Sequence, residues 1–391
     1  MDFDIVVVGA GPAGCTFVSG LHGSGLRIAV VEPQDENKLR SPSFDGREIA
    51  LSQRTVDVLL GYGIWPHIPH DEVSVISAAR VIDGKGKGSL DFRAPKRSAG
   101  PIGRLVPNHV IRKAAFTRAL ENPNVVLVDG HSAAEVSPGR RCSTVKLSDG
   151  SRLTTKLVVA ADTRFSTIRR QVGIAASMHD FGQTMIVCRM SHGIGHQDTA
   201  WECFLYGLTL AVLPLNGGMS SIILTLPQHL ATQWLDKPAD DYAADIENAL
   251  SGRFGKMELA SERIAYPLVG VYAEQFVSDG FALVGDAAVG MHPVTAHGYN
   301  FCVTGVHALS QRVARAARNG SDIRSRALLR SYEMEHRLRT RPLFEATKRL
   351  VQLYTTEAPH FRLARKAILR TGNAMAPAKA AIAGLLMRHA V

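Results

Sequence analysis

The sequence has few cysteines, and their arrangement excludes two common kinds of structural cross-link. There are five among 391 residues, an odd number, and no two of them form a Cys-x-x-Cys pair. A disulfide framework or a zinc site is therefore not expected, and a reducing compartment is favoured. Free cysteine behaves as a small apolar side chain, so all five thiols are expected in the core. They are Cys15, Cys142, Cys188, Cys203 and Cys302.

Long apolar runs and aromatic side chains are also scarce. No apolar stretch reaches the roughly 20 residues that a membrane-spanning helix needs. Asp2 and Asp4 stand where a signal peptide would be basic. Aromatic residues make up 6% of the chain, and no nucleic-acid-binding module or cluster of metal ligands is recognisable. We therefore expect a cytoplasmic protein that has no nucleic-acid partner and no metal.

Acidic residues are scarce in the C-terminal segment. Residues 337–391 carry 11 Lys and Arg but only Glu345 and Glu357, in a chain with a net charge of +10. Such a segment can contact an anionic membrane surface or an acidic partner, or form a solvated basic face.

What is present begins with an apolar strand over residues 3–8, then GAGPAG at residues 9–14 and a helix to about residue 23. A second strand, residues 27–31, leads to Glu32. This βαβ pattern is typical of dinucleotide binding. The glycines let a pyrophosphate approach the backbone, and the helix N-terminus faces the negative charge of the pyrophosphate. The carboxylate of Glu32 can accept hydrogen bonds from the ribose hydroxyls. The candidate cofactor contacts in this unit are Gly9, Gly11, Ala13, Gly14 and Glu32.

The rest of the chain alternates between two kinds of strand pattern. Short alternating pieces at residues 74–92 and long strands at residues 180–276 indicate an inserted antiparallel sheet. Further predicted elements are a helix over 108–120, a strand over 125–128, a hairpin around Asp149-Gly150, a strand over 157–161, a helix over 239–254, a strand over 281–284 and helices after residue 300.

Two further motifs follow predicted buried strands. The strand over 157–161 leads into ADTRFSTIRR at residues 161–170. The strand over 281–284 leads into GDAA at residues 285–288, with His292-Pro293 and Gly298-Tyr299-Asn300 downstream. A carboxylate at the end of such a strand, as in Asp286, can bind a hydroxylated cofactor chain or cap a following helix.

The three motifs together resemble the group A flavoprotein monooxygenases, the para-hydroxybenzoate hydroxylase fold. Further segments are similar to the ubiquinone-biosynthesis hydroxylases (the UbiH/VisC/Coq6 group). They are GREIALS at 46–52, LGYGIW at 60–65, LAVLPL at 210–215, YPL at 266–268 and the C-terminal run through Leu353, Pro359, Arg365 and Leu369.

The resemblance implies an α/β fold with an α+β insert. It implies a Rossmann-like FAD-binding domain, an inserted antiparallel-sheet substrate domain and a C-terminal helical tail. The expected bounds are 1–73 with 100–178 and 277–340 for the FAD-binding domain, 74–99 with 179–276 for the substrate domain, and 341–391 for basic C-terminal helices.

The resemblance also implies a reaction. FAD is the expected cofactor, with NAD(P)H or a partner reductase as electron donor and O₂ as co-substrate. One oxygen atom is inserted through a C4a-hydroperoxyflavin into an aromatic ring, and a polyprenylated phenol or quinol of ubiquinone biosynthesis is the expected substrate. Quinone-biosynthesis proteins are expected partners. The basic tail then implies peripheral contact with the inner face of the cytoplasmic membrane.

The site residues that the resemblance implies lie in all three motifs and in GREIALS. Pro293, His292 and His297 are the catalytic candidates, beside the flavin ring, where histidine can handle protons. The further candidate cofactor contacts are Arg47, Arg112, Asp162, Gly285, Asp286, Pro293, Gly298, Tyr299 and Asn300.

The sequence departs from the family pattern in three places. Thr163 replaces the usual glycine of the second motif, Val289 replaces a histidine, and Ala296-His297-Gly298 replaces Gly-Gln-Gly, with His297 in place of the glutamine. These departures keep a non-catalytic flavin-binding subunit open, and a hydroxylase of a small soluble phenol or secondary metabolite on the same fold is the other alternative. An NAD-dependent dehydrogenase would account for residues 1–32 only.

Overall fold

The computed structural model describes residues 1–84, 89–93, 100–139, 141–205, 207–293 and 297–355. The strands within these ranges are β1 (Phe3–Val8), β2 (Ile28–Glu32), β3 (Glu48–Leu51), β4 (Ser74–Ile76), β5 (Ala78–Asp83), β6 (Ser89–Arg93), β7 (Gly103–Pro107), β8 (Val125–Asp129), β9 (Ala133–Ser137), β10 (Ser143–Leu147), β11 (Arg152–Ala160), β12 (Ala176–His192), β13 (Thr199–Leu205), β14 (Leu208–Leu215), β15 (Met219–Pro227), β16 (Met257–Leu259), β17 (Ile264–Ala273), β18 (Val277–Ser278), β19 (Phe281–Leu283) and β20 (Val289–Gly290).

The helices of the same ranges are α1 (Pro12–Ser19), α2 (Glu36–Arg40), α3 (Gln53–Gly61), α4 (Asn108–Leu120), α5 (Thr167–Gln171), α6 (Ala231–Leu235), α7 (Ala239–Ala249), α8 (Gly298–Arg318) and α9 (Arg326–Thr355). Short 3₁₀ turns lie between them, one of which is Gly285–Ala287.

The first sheet has the strand order β18-β19-β11-β1-β2-β8, and β19, β11, β1, β2 and β8 run parallel. Its central strands are rich in valine and buried on both faces, as parallel strands between helices are. The predicted strand over residues 3–8 is confirmed. Helix α1 ends at Ser19 rather than near residue 23, because Gly20, Gly23 and Gly25 follow and glycine disfavours helix.

The predicted hairpin is confirmed, but its second strand is longer than the sequence indicated. Strands β10 and β11 pair antiparallel around a turn in which Gly150 has a φ of 90°. Strand β11 then continues without a break to Ala160, where its far end pairs in parallel with β1. The separate strand predicted over residues 157–161 is therefore wrong, since one nine-residue strand serves both the hairpin and the sheet core.

The second sheet has the order β20-β17-β12-β15-β14-β13-β5-β6, with β16 beside β12. Most of its strands are antiparallel, and β5 pairs with β13 in parallel. One face packs on α7 through side chains that include Ile186, Cys188 and Ile246. The helix predicted to reach residue 254 ends at Ala249, because Ser251 and Gly252 adopt positive φ.

A third sheet of three strands, β3-β7-β4, was not predicted. It packs Ile76 and Leu105 against Leu215 of the second sheet, and Leu213 and Ala200 lie at the edge of this contact. The small sheet thus covers one end of the second sheet's other face.

Two long helices close the described part of the chain. Helix α8 packs on α1, on α3 and on α9. Among the described residues, no helix combines the length and apolar character needed to span a membrane. Residues 356–391, most of the predicted basic tail, lie outside the described residues. The α/β class with an added, mainly antiparallel sheet is confirmed, whereas the domain bounds stay a prediction.

One prediction about the thiols is wrong. Cys142 is exposed, whereas the other four cysteines are buried. Cys142 stands in the link that enters β10, where the chain has left the core, so its neighbours offer it no cover.

Candidate active site

The glycine-rich turn between β1 and α1 has open space at one glycine and close packing at two others. Gly9 has a φ of 106°, and a Cβ there would lie 2.7 Å from the carbonyl oxygen of Ala161. A Cβ at Gly14 would overlap the carbonyl oxygen of Gly9, whereas one at Gly11 would meet nothing within 4 Å. Strand and helix therefore pack tightly around a turn whose middle stays open.

The N-terminus of α1 faces this open space. Gly11 is the residue before the helix, Pro12 is at its start, and no side chain caps the first turn. The first amide groups of a helix have no intrahelical partners and carry the positive end of the dipole. They are therefore suited to phosphate oxygens.

Glu32 lies at the end of β2 beside the turn, as predicted. Its carboxylate accepts hydrogen bonds from the backbone N–H of Ala10 at 2.9 Å and of Gln34 at 3.2 Å. The two oxygens have further lone pairs. Glu32 therefore stabilises the turn and can accept a sugar hydroxyl at the same time.

Arg112 projects from α4, which packs against α1. It lies close enough to Cys15 and Tyr266 for its charge to act on both side chains. In the part of the chain that the structure describes, its guanidinium forms no hydrogen bond or ion pair. A half-buried cation of this kind suits an anionic ligand that the turn would hold.

Arg47 is held in place by its own loop. Its guanidinium pairs with Asp45 at 2.6 Å and stacks over the ring of Tyr266 at 5.2 Å. Asp45 also accepts a hydrogen bond from Asn108, and its backbone carbonyl accepts one from the hydroxyl of Tyr266. Although burial acts to raise it, the hydrogen bonds from Arg47 and Asn108 hold the pKa of Asp45 below its usual range.

Asp162 lies two residues after the end of β11 and borders the glycine-rich turn. Its Oδ1 atom is buried and has no hydrogen-bond partner among the described residues. Burial raises the pKa of this carboxyl despite hydrogen bonds that oppose the shift. A buried acceptor without a donor fits a site whose ligand brings a hydroxyl or N–H group.

Two arginines connect the second motif to the third, a role that the sequence did not reveal. Arg164 pairs with Asp286 at 2.9 Å and donates to the carbonyl oxygen of Val269 at 3.0 Å. Arg169 is buried and donates to the carbonyl oxygen of Ala287 at 2.8 Å. Asp286, predicted to contact the cofactor, thus has one partner already, yet 40% of its side chain remains exposed.

Gly285 brings the third motif against the first. Its φ is 62°, and a Cβ there would lie 2.7 Å from the Cβ of Ala13 and 3.4 Å from the sulfur of Cys302. Only glycine fits this contact, because the backbone is in the left-handed region and helix α1 is adjacent. Ala13 is small for the same reason.

The predicted catalytic residues lie between β20 and α8. His292 is buried and makes an edge contact with Phe181 at 4.6 Å, and burial lowers its pKa to about 4. Pro293 is exposed, and residues 294–296 lie outside the described ranges. His297 is buried, precedes α8 and packs near the ring of Phe301.

Residues 298–300 form the first turn of α8. Asn300 donates to the carbonyl oxygen of Ala50 at 2.8 Å and accepts from Ser52 and Thr55. Its side chain therefore anchors α8 to β3 and α3, so a cofactor contact would involve its backbone. Tyr299 lies beside Thr16 of α1, and burial raises the pKa of its phenol. Gly298 has open space at its Cα.

The second sheet supplies an apolar wall. Met185, Val187 and Leu268 are buried together on the face opposite α7, with Phe181, Ile223, Ile264 and Tyr266 beside them. A Cβ at Gly46, next to Arg47, would lie 2.6 Å from a methyl group of Val187. This apolar wall therefore faces the loop that holds Arg47.

A buried ion pair at the edge of the apolar wall was also missed. Arg189 pairs with Glu48 at 2.7 Å and stacks over Phe44 at 4.6 Å. The side chain of Glu48 is fully buried, and burial raises its pKa although Arg189 opposes the shift. The one signal in the sequence was a charged residue directly before the apolar run Ile49-Ala50-Leu51 of GREIALS.

The residues present fit FAD. The open turn and Arg112 suit a pyrophosphate, Glu32 suits a ribose, and the carboxylates of Asp162 and Asp286 suit hydroxyl or N–H donors. No group of three or more His, Cys, Asp and Glu side chains that could hold a metal ion occurs among the described residues.

Comparison with known proteins agrees with this fit. The sequence matches the FAD binding domain family over residues 2–347. It is 39% identical to ubiquinone hydroxylase UbiM of Neisseria meningitidis over 96% of this chain and 82% of that protein. It is 32% identical to ubiquinone hydroxylase UbiL of Rhodospirillum rubrum over 99% of this chain and 89% of that protein.

Solved structures share the fold at low sequence identity. The p-nitrophenol 4-monooxygenase PnpA of Pseudomonas putida superposes with a TM-score of 0.76 and 17% identity, over 98% of this chain and 96% of that one. PqsL of Pseudomonas aeruginosa, a probable FAD-dependent monooxygenase, has a TM-score of 0.70 and 18% identity, over 90% and 94%. The chain belongs to the FAD binding domain family, as an FAD-dependent monooxygenase.

Proposed function

We propose that this chain hydroxylates the aromatic ring of a polyprenylated phenol or quinol in ubiquinone biosynthesis. The observation that carries the proposal is the nearly full-length similarity to two ubiquinone hydroxylases, at 39% and 32% identity. The human ubiquinone biosynthesis monooxygenase COQ6 is also similar, at 26% identity over 96% of this chain.

The apolar wall supports the proposal that the substrate is an aromatic ring with an apolar tail. Met185, Val187 and Leu268 offer no charge to a substrate, and the close approach of Val187 to Gly46 places this wall beside the loop of Arg47. An uncharged wall excludes water, which preserves a reactive oxygen species for the ring.

The proposed roles of the cofactor-site residues follow from their positions. The α1 N-terminus with Gly9, Gly11, Ala13 and Gly14 binds the pyrophosphate, and Arg112 neutralises it. The remaining contacts come from Glu32, Arg47, Asp162, Gly285, Asp286, Pro293, Gly298, Tyr299 and Asn300. When bound, FAD supplies the oxygen-activating chemistry, with O₂ as co-substrate and NAD(P)H or a reductase as electron donor.

The same proposal assigns tasks to the histidines beside Pro293. His292, neutral at pH 7 because burial lowers its pKa to about 4, shapes an apolar edge against Phe181. His297 stands at the start of α8 and handles a proton at the reacting ring. Helix α8 directs its N-terminal amides to the same place.

Contact with a membrane surface would give access to an insoluble substrate. On α9, Met334 and Leu338 are 66% and 72% exposed, and Arg330 and Arg341 are exposed on the same helix. Basic and apolar side chains together suit an anionic bilayer. Co-flotation with liposomes tests this part, and flotation that is unchanged after removal of residues 356–391 and Met334→Asp/Leu338→Asp would contradict it.

The deciding experiment is expression in a bacterium that lacks its own quinone-ring hydroxylases, with mass spectrometry of the extracted quinones. Restored ubiquinone or a newly hydroxylated intermediate would support the proposal and identify the ring position. Accumulated precursors beside a yellow, folded protein would overturn the quinone assignment and direct attention to soluble phenols.

A further inference from the structure

Glu202 occupies a position on the second sheet that neither the cofactor nor the fold explains. It lies in β13, where it pairs with Ala211 of β14. Ala211 pairs with Ile223 of β15, and Ile223 pairs with Val187 of β12. Directly paired residues project from the same face of a sheet, so Glu202 shares the face of the apolar wall.

The neighbouring residue confirms this orientation. Cys203 belongs to the core that packs on α7, on the opposite face. On the face of Glu202, the residue two positions earlier, Ala200, lies beside the contact with the three-stranded sheet. Glu202 thus stands between that contact and the apolar wall. Val187 is three strands away, about 14 Å.

The carboxyl of Glu202 has no partner within the described ranges. It forms no hydrogen bond or ion pair there, and Ala200 and Phe204 flank it on its face of β13. Burial raises the pKa of Glu202 to about 8. The residue is nonetheless only half-buried, so part of its surface remains accessible.

An acid in this setting is costly unless a ligand uses it. A carboxyl that loses part of its hydration and gains no hydrogen bond from the protein destabilises a fold, and an apolar side chain at this point of β13 would avoid the cost. A neutral carboxyl donates one hydrogen bond and accepts another, which matches the O–H of a phenol.

We propose that Glu202 is the substrate-recognition residue of this hydroxylase, and that its carboxyl hydrogen-bonds a ring oxygen of the phenol or quinol. The proposal rests on the proposed function and deepens it, because the ring would be oriented by one polar contact on the sheet face that carries the apolar wall. Such a contact discriminates strongly, since an analogue without the oxygen leaves the carboxyl unpaired.

The test compares the binding of two probes to the flavin-loaded, full-length protein. The probes are 4-prenylphenol and prenylbenzene, which lacks only the hydroxyl, and binding is followed by perturbation of the flavin absorbance. We expect the native protein to bind the phenol about tenfold more tightly than the hydrocarbon. Glu202→Leu should abolish this preference, and Glu202→Gln, which keeps a donor and an acceptor, should retain most of it.

A matched control is Glu258→Gln, which changes an exposed carboxyl of the same sheet that pairs with Lys256. It should leave the preference unchanged. Glu202→Leu should also keep its flavin and unfold at the same or a higher temperature. If the carboxyl had only a structural role, the substitution would lower the unfolding temperature. If the leucine variant yields no folded holoenzyme, Glu202→Ala provides the same comparison.

A native protein without the preference, or a Glu202→Leu variant that keeps it, would overturn the proposal. The result is separable from the quinone assignment. Preference for the phenol through Glu202, without any restored ubiquinone in the bacterial experiment, would keep the recognition role and overturn the quinone substrate. Restored ubiquinone together with an unaltered preference in Glu202→Leu would keep the quinone substrate and overturn the recognition role of Glu202.

Discussion

The proposed cofactor side of the site and the apolar wall are specified in different ways. On the cofactor side, the backbone decides: a Cβ at Gly9, Gly14 or Gly285 would meet another residue at 2.7 Å or less. On the sheet face that carries the wall, the side chains set the specificity, since Val187 and Glu202 occupy ordinary strand positions that any residue type can adopt. One region therefore tolerates almost no change, whereas the other can accept different side chains without a change of backbone.

The largest effect is expected where the backbone leaves no room. Gly14→Ala places a methyl group on the carbonyl oxygen of Gly9, so the turn must open, and we expect a loss of roughly 3 kcal/mol or more in the free energy of unfolding. Gly11→Ala is the control, because its Cβ meets nothing within 4 Å.

Urea unfolding and flavin content of both variants provide the measurement. The control, Gly11→Ala, should fold like the native protein. Any loss of flavin from it would therefore mean that the added methyl group occupies space that the ligand needs. Equal stability of Gly14→Ala and Gly11→Ala would show that backbone packing does not distinguish the two glycines, and the comparison would fail on its cofactor side.

This difference also explains what could be predicted from the sequence. The motifs around Gly9 and Gly285 were recognisable because a positive φ and close packing permit only glycine. The buried strands β1 and β19 were recognisable because both of their faces are apolar. Prediction succeeded where a local rule and the fold demand the same residue.

Other features depend on contacts between distant parts of the chain. The ion pair of Arg164 with Asp286 joins residues 122 positions apart, and the bond from Asn300 to Ala50 spans 250. The three-stranded sheet has no local signature, because β3, β7 and β4 are short and far apart in sequence. The position of Glu202 beside Ala211 and Ile223 could not be predicted either, because it depends on the order and register of strands that are distant in sequence.

The next effect concerns the edge of the wall. Arg189→Met removes the partner of Glu48, whose side chain is fully buried, and should cost about 3 kcal/mol at pH 7 because an unpaired charge remains. Burial already raises the pKa of Glu48, and loss of Arg189 should raise it further.

The sign of the pH dependence follows from that shift. A carboxyl with a raised folded-state pKa favours the folded state at low pH and destabilises it as the pH rises toward that pKa. The deficit of Arg189→Met relative to the native protein should therefore shrink as the pH falls below 7. A deficit in unfolding free energy that is constant with pH would show that lost packing on Phe44, rather than charge, is responsible.

A smaller effect should separate ligand binding from folding on the cofactor side. Arg112→Ala removes a guanidinium that has no protein partner among the described residues, so the unfolding temperature of the apoprotein should barely change. FAD affinity should fall about tenfold to a hundredfold, as expected for a charge-assisted hydrogen bond. Fluorescence titration of the apoprotein measures it, with Lys113→Ala, exposed on the same helix, as control. An unchanged FAD affinity in Arg112→Ala would show that Arg112 does not contact the cofactor.

The smallest effect lies where the two regions meet. Tyr266→Phe deletes the hydroxyl that donates to the carbonyl oxygen of Asp45 at 2.7 Å, while the ring stays under Arg47. We expect a loss of about 1 kcal/mol in unfolding free energy and normal flavin content, because one neutral hydrogen bond is removed and the stacked cation remains. Tyr266→Leu removes the ring as well and should loosen the loop, so it should lower flavin content if Arg47 needs that ring for support. Equal flavin content in the two variants would mean that Asp45 alone holds Arg47, and that the wall does not position the cofactor side.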